Sequence, residues 1–308
     1  MRLTKEIMKK LYIIGNGFDI HHGLKTRYSD YKAYLQQKDR QQVEDFDDFL
    51  ECYDINKKNI QNWSDLEVYT RHIYCVDLYQ ILDKSIDCSE SDMDRASYWH
   101  DIQYNSEEYS KWITGIRLNV NEWIRQIEYT NVTKDSNLPI DTNAIYINFN
   151  YTETLQSVYG VPDSNIFHIH GKVSNEIVFG NNCFPDDMIR SSIIRTDNKN
   201  EDDDWRISQA IDILNSRLED AKCYYKKSDE IMLKHRSFFE NIDECQELII
   251  MGLSFGSEDL CYIHKIIEKG FNIQKITIFY RTKDDFYRFV KHLYMPLSDQ
   301  VTVESRLW

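Results

Sequence analysis

Four short segments of this chain of 308 residues combine side chains and turns suited to chemistry on a nucleotide. In Leu11-Tyr-Ile-Ile-Gly-Asn-Gly-Phe-Asp19 an apolar run leads straight into a glycine-rich turn. Gly15 and Gly17 have no Cβ, so the backbone of such a turn can approach a phosphate, and a helix behind it would aim its first N–H groups at the same anion. Asn150 and Thr152 follow the run Ile145-Tyr-Ile-Asn-Phe149, and an asparagine amide both donates and accepts, which suits a sugar hydroxyl or an attacking water. His170 closes Ile166-Phe-His-Ile-His170; an imidazole there suits proton removal, a role typically worth ~10²–10⁴-fold in rate. Gly252 and Ser254 follow Leu248-Ile-Ile-Met251, where a hydroxyl can meet a phosphate or a ribose.

Each of these residues stands at the C-terminal end of an expected strand. Short β-branched or aromatic runs lie at 11–14, 144–149, 165–170, 176–179, 247–251 and 275–280, with a weaker one at 301–303. Most lack clean alternation, as befits strands covered on both faces of a parallel sheet. Helical patterns occupy 28–37, 65–85, 108–129, 205–218, 229–242, 258–269 and 282–293. Strands alternating with helices imply an α/β fold with a parallel sheet, and ligands bind along the carboxyl edge of such a sheet, so the four loops are expected to converge on one crevice. Two intervals are too long for plain crossovers. The expected core is 1–24, 140–181 and 245–308, with helical insertions at 25–139 and 182–244. The charge runs Glu201-Asp-Asp-Asp204 and Lys226-Lys-Ser-Asp-Glu230 read as solvated surface.

Composition narrows the function classes. Hydrophobic residues make up 42% of the chain, which excludes wholesale disorder. The formal net charge of -14 repels phosphate backbones and anionic lipid, so nucleic acid and membrane are poor candidates as partners. Seven cysteines, an odd number with no Cys-x-x-Cys pair, suggest neither a disulfide framework nor a zinc site. The apolar run after the basic start ends at Gly15, too short for a secretion signal, and no run of 18 apolar residues follows. A cytoplasmic location is expected.

The motifs resemble two related groups. Gly15-Asn-Gly with Gly23-Leu24 in register, the segment Phe149–Leu155, His168-Ile-His-Gly171 and Met251-Gly-Leu-Ser254 are similar, in that order, to the phosphate loop, the Thr-x-Asn-x-Asp segment, the His-Gly and the late Gly-x-Ser of sirtuins. The fuller wording in Gly15–Tyr31, Phe149–Gly160, His168–Gly171 and Gly252–Asp259 resembles the bacterial abortive-infection AbiH family from end to end, with little of the match in the helical insertions. The resemblance implies a three-layer Rossmann-like (sirtuin-like) parallel sheet, a setting in antiphage defence, and NAD as a substrate that is hydrolysed to nicotinamide and ADP-ribose. In that reading Asn150 and His170 are catalytic, while Gly15, Asn16, Gly17, Phe18, Asp19, Thr152, Gly252 and Ser254 bind the nucleotide. Two departures matter: Thr152 stands where sirtuins place the aspartate that orients nicotinamide, and the four-cysteine zinc module of the deacylases is absent, which disfavours deacetylation. A nucleotide or ADP-ribose sensor without turnover, and an ADP-ribosyltransferase, remain as alternatives. A phage-derived trigger and a homo-oligomer are the expected partners, and no metal is expected.

Several residues keep two readings at this level. His168 lies two positions before His170, on the same sheet face, and either supports it or packs there. Asp19 beside a pyrophosphate would be repulsive, so it caps the following helix or holds a ribose hydroxyl. His21 and His22 could join His168 and His170 around a metal, but no carboxylate or cysteine stands at a familiar ligand spacing. Tyr28, Tyr31 and Tyr151 read as packing.

Overall fold

Six runs of β-branched and aromatic residues form one all-parallel sheet in the order β3-β2-β1-β4-β5-β6. The strands are β1 Lys10–Ile14, β2 Ile145–Asn148, β3 Ile166–His168, β4 Glu247–Met251, β5 Lys275–Tyr280 and β6 Thr302–Leu307. The computed structural model describes residues 9–51, 57–75, 95–175, 177–185, 212–213, 215–294 and 301–308. At the centre β1 pairs β4 in the register Leu11↔Leu248 to Ile14↔Met251, and β1 pairs β2 from Leu11↔Ile145 to Ile14↔Asn148. The chain therefore leaves β1 toward β3 on one side and reaches β6 on the other. That reversal of winding falls between β1 and β4, and it is outside the carboxyl ends of the strands at such a point that doubly wound sheets bind ligands.

Side chains alternate across the sheet into two apolar layers. Leu11, Ile13, Ile147, Leu248, Ile250, Ile276 and Ile278 face Tyr262, Ile263 and Ile266 of the helix Leu260–Lys269, together with Phe289, Leu293, Phe239 and Ile242. Tyr12, Ile14, Tyr146, Ile249, Met251 and Phe279 face Phe18 of the helix Asn16–His21 and Leu155, Val158 and Tyr159 of a wide π-helical turn, Leu155–Tyr159. Both faces are covered, which makes the fold a three-layer Rossmann-like α/β arrangement. Burial on both faces also explains why the strands are apolar runs without alternation.

The chain divides into two compact units, one of residues up to 31, 121–178 and 227–308, the other of 32–120 and 179–226. Relative to the expected boundaries, the sheet unit also takes in 25–31, 121–139 and 227–244, while 179–181 join the second unit. Three expected elements differ. Residues 177–179 form no strand, because the Val178 N–H bonds singly to the His170 carbonyl at 2.8 Å and Tyr151 caps the Val178 carbonyl at 3.1 Å. The pattern at 229–242 breaks at His235 into helices Ser228–Lys234 and Arg236–Glu240. The helix expected from 108 to 129 runs from Arg95 to Arg125. The expected helical stretches 76–85 and 205–211 and the run Glu201–Asp204 lie outside the described residues. Among the described residues, no helix is long and apolar enough to cross a membrane.

The run at 226–230 is not all solvated surface. Lys226 is fully buried in the second unit, its Nζ 2.5 Å from Glu67 Oε2, and its N–H bonds to the Asn181 carbonyl at 2.9 Å. Removing one member of a buried ion pair costs more than replacing both, so Lys226→Met is expected to destabilise by about 3–5 kcal/mol, whereas Lys226→Met with Glu67→Leu should return to within about 1 kcal/mol of the parent. Urea unfolding of the single and double variants checks this; equal losses in both would show that packing, not charge, dominates.

Candidate functional site

The turn after β1 is built by its own backbone. Gly15 N–H donates to the Met251 carbonyl at 2.9 Å, Gly17 N–H to the Gly252 carbonyl at 2.8 Å, and Phe18 N–H to the Gly15 carbonyl at 2.9 Å. These three donors face into the protein, so of Gly15, Asn16 and Gly17, expected to offer backbone donors to a pyrophosphate, the two glycines have their N–H groups taken within the turn. The missing side chains have a different reason: a Cβ on Gly15 would stand 2.6 Å from the Gly252 carbonyl oxygen, and one on Gly17 2.7 Å from the Gly252 Cα. Gly252 itself holds φ at +65° with its Cβ direction 2.3 Å from the Phe18 nitrogen. The three glycines let the β1 and β4 loops touch backbone to backbone.

The side chains of this turn are likewise committed. Asn16 is exposed and its Nδ2 donates to the Thr26 carbonyl at 2.7 Å. Phe18 is buried against His22, Tyr159 and Trp308, so it serves the core and presents no ring to a ligand. Asp19 is 1% exposed. Thr152 Oγ1 donates to one of its oxygens at 2.5 Å and Thr154 Oγ1 to the other at 2.7 Å. Asp19 is thus neither a helix cap nor an open ribose ligand, and Thr152, expected at the nucleotide, is bonded to it. Thr154, which sequence reasoning passed over, completes the group.

Burial pushes the Asp19 carboxyl up to about 6, against the pull of Thr152, Thr154 and Asn150. Because the folded value is raised, this group's contribution to stability is present below its ordinary 3.8 and lost as pH rises through about 6. A rise of that size corresponds to about 3 kcal/mol. Wild type is therefore expected to gain up to that amount relative to Asp19→Asn between pH 7 and pH 4, as read by chemical unfolding at both values. Parallel curves for the two proteins would remove Asp19 as the source.

Asn150 and His170 leave adjacent strands, β2 and β3, and both are nearly fully buried, at 5% and 3% exposed. The Asn150 N–H donates to Asn148 Oδ1 at 3.0 Å, and its Nδ2 donates across to the Gly15 carbonyl at 3.1 Å. His168 is a positioning group: its Nδ1–H donates to the Asn150 carbonyl at 3.1 Å while Nε2 accepts from Gln156 Nε2 at 2.9 Å. Burial lowers its pKa, which suits the neutral ring these bonds require. His170 sits among the rings of Phe149, Tyr151 and Tyr262, with centroids at 5.7, 6.3 and 5.7 Å.

Facing His170 is a residue that the motif Gly252–Asp259 ended on but to which sequence reasoning gave no role. Asp259 Oδ1 lies 3.5 Å from His170 Nε2. It occupies the N-cap of the helix Leu260–Lys269, where an aspartate ordinarily caps, yet its side chain makes no capping bond. Its carboxylate is directed to the histidine instead, with the positive end of the helix behind it. A buried imidazole beside a carboxylate can take a proton and have its charged form stabilised.

Ser254 is exposed, and its carbonyl accepts from Arg288 Nη1 at 3.3 Å, which brings a guanidinium to the β4 edge. His21 pairs with Asp135 at 2.9 Å, and His22 bonds the Phe18 carbonyl and the Tyr159 hydroxyl, each at 2.7 Å, so neither joins His168 and His170. Among the described residues, no three His, Cys, Asp or Glu side chains stand where they could hold a metal. A family model described as bacteriophage abortive infection AbiH matches residues 11–281. No curated protein matches the chain, and no solved structure does.

Proposed function

The chain belongs to the bacteriophage abortive infection AbiH family, and from that premise we propose that it is the effector enzyme of such a response, a hydrolase that cleaves NAD between nicotinamide and ribose. The observation that supports this most is the buried His170 beside Asp259, next to Asn150, on the carboxyl edge of a sheet wound 3-2-1-4-5-6. Nicotinamide leaves a cationic ring as a neutral molecule, so its departure needs no general acid, and the barrier lies in an oxocarbenium-like ribose. Water attacks the ribose C1′, the bond to the ring nitrogen breaks with its electron pair going to nicotinamide, and the water's proton passes to His170. Asp259 steadies the resulting imidazolium, and its negative charge also suits the cationic transition state. The buried Oδ1 of Asn150 offers an acceptor to the water or to a ribose hydroxyl. With the Gly15 and Gly17 donors bonded within the turn, Arg288 beside Ser254 is the cation we assign to the pyrophosphate.

A constantly active NAD hydrolase would kill the cell that carries it. Resting activity is therefore low, and a phage-derived component or assembly of copies in the cytoplasm shifts the population toward a competent state. Incubating the purified protein with NAD and separately with NADP, then separating the products by chromatography, tests the reaction. Nicotinamide and ADP-ribose in equal amounts are expected. Saturable binding without products would favour the sensor, and ADP-ribose attached to a macromolecule the transferase.

A further inference from the structure

β6 ends the sheet, since the described residues place no strand beyond it, and an edge strand offers backbone groups to any strand that fits. Which of its residues face outward follows from the bonds to β5. Thr302 N–H donates to the Gln274 carbonyl at 2.9 Å and Trp308 N–H to the Tyr280 carbonyl at 3.2 Å, in the parallel register Lys275↔Thr302 to Tyr280↔Leu307. Bonding residues alternate along a strand, so 302, 304, 306 and 308 face β5, while Val303, Ser305 and Leu307 turn their N–H and C=O groups away from it. Ser305, Arg306 and Leu307 are exposed, Leu307 at 70%. The opposite edge differs: β3 has only three residues, and so short an edge recruits little.

The run Val303-Glu-Ser-Arg-Leu307 is complementary to its own reverse about Ser305. With a second copy turned round and Ser305 set opposite Ser305, Val303 meets Leu307 and Glu304 meets Arg306. The outward residues then form the hydrogen-bonded pairs, each exchanging both N–H···O bonds, and Glu304 with Arg306 falls at the closer pair, where Cα atoms stand about 4.5 Å apart. Other registers fail. Sliding by one residue sets outward groups against inward ones, and sliding by two sets Glu304 against Glu304 or Arg306 against Arg306. Within one chain Arg306 Nη2 lies 3.4 Å from Glu304 Oε2 and Lys275 Nζ 3.0 Å from Oε1, but these side chains are 31–52% exposed, and such surface pairs contribute little. We propose that β6 is the docking edge for a second copy of this chain, an antiparallel pair of β6 strands with Ser305 on the two-fold axis that joins two sheets into one. To most strands the charges of this edge are a deterrent; to its own reversed copy they are an attraction. This goes beyond the hydrolase reading and does not rest on it.

Sedimentation of the full chain from about 1 to 200 μM tests this, with monomer and dimer expected in equilibrium at a dissociation constant of roughly 10–100 μM, as suits an interface at the small end. Glu304→Arg and Arg306→Glu should each weaken self-association about ten-fold or more, because the two-fold axis sets like charges opposite each other twice. An equal mixture of these two variants should associate again, now as a heterodimer, since one chain then carries both cations and the other both carboxylates. Ser305→Pro should be monomeric with its melting curve kept, because the N–H it removes faces away from β5. Should Ser305→Pro fold poorly, the mixture of charge variants decides. A wild-type chain that stays monomeric across the range, a dimer that the charge reversals do not weaken, or a mixture that does not associate overturns the proposal. None of these readouts uses NAD, so the result stands whether or not the chain cleaves it.

Discussion

Replacing His170 with alanine is expected to lower NAD cleavage by about 10²–10⁴-fold, the range for a lost general base, while NAD binding changes little. The imidazole is buried among three aromatic rings and faces Asp259, so its loss removes the proton acceptor and leaves the β1 and β4 loops intact. Asn150→Ala should also abolish turnover, because it removes the acceptor that holds the water or ribose hydroxyl. Both losses should carry over to cells, where growth arrest is attributed to NAD depletion alone. Product chromatography, calorimetry and cellular NAD during phage challenge provide the three readouts. Arrest with NAD unchanged, or arrest that persists in His170→Ala, rejects the hydrolase reading and moves the weight to the sensor or to a transfer reaction.

The second large effect concerns the glycines, and here the structure reverses an expectation. If Gly17 only admitted a phosphate, Gly17→Val would remove binding and leave a folded protein. Its Cβ would instead stand 2.7 Å from the Gly252 Cα, and a Cβ on Gly252 would stand 2.3 Å from the Phe18 nitrogen at a φ of +65°. The obstacles are backbone atoms tied by the bond from Gly17 N–H to the Gly252 carbonyl, so neither can yield without parting the central loops. Gly17→Val and Gly252→Ala are each expected to cost about 3–5 kcal/mol or more, a large share of a domain's ~5–15 kcal/mol. Denaturant unfolding measures it, and a wild-type midpoint for Gly17→Val would mean that the loops separate without penalty.

The strands β1 to β4 were legible because each is an apolar run ended by a glycine, an asparagine or a histidine, whereas β6 carries Glu304, Ser305 and Arg306 and was only weakly marked; the parallel order follows once helices lie between them. Residues 177–179 misled for the same reason, since Ile177 is buried yet lies beside a single backbone bond, from Val178 to the His170 carbonyl, and not in a strand ladder. What escaped the sequence were pairings between distant positions. A glycine looks alike whether phosphate or Gly252 occupies the space beside it. Asp259 at a helix start looks like a cap, and only the fold shows its carboxylate turned to His170. Lys226 stands in a charged run whose first member is buried on Glu67, 159 positions away. Thr154 gains meaning only once Asp19 is seen to be buried.

The pairing of β1 with β4 joins Leu11 to Leu248, so the centre of the sheet waits on the ribosome. At ~5–20 residues per second, β4 follows β1 by roughly 10–50 s of synthesis. Until then Gly15 and Gly17 have no Gly252 to rest on, and His170 has no Asp259. A nascent or truncated chain that ends before residue 247 lacks half of the proposed dyad and the middle of its sheet. Parallel pairing across so long a loop is intrinsically slow. Under the proposed hydrolysis, that order of assembly means that a chain ending before residue 247 carries no complete dyad.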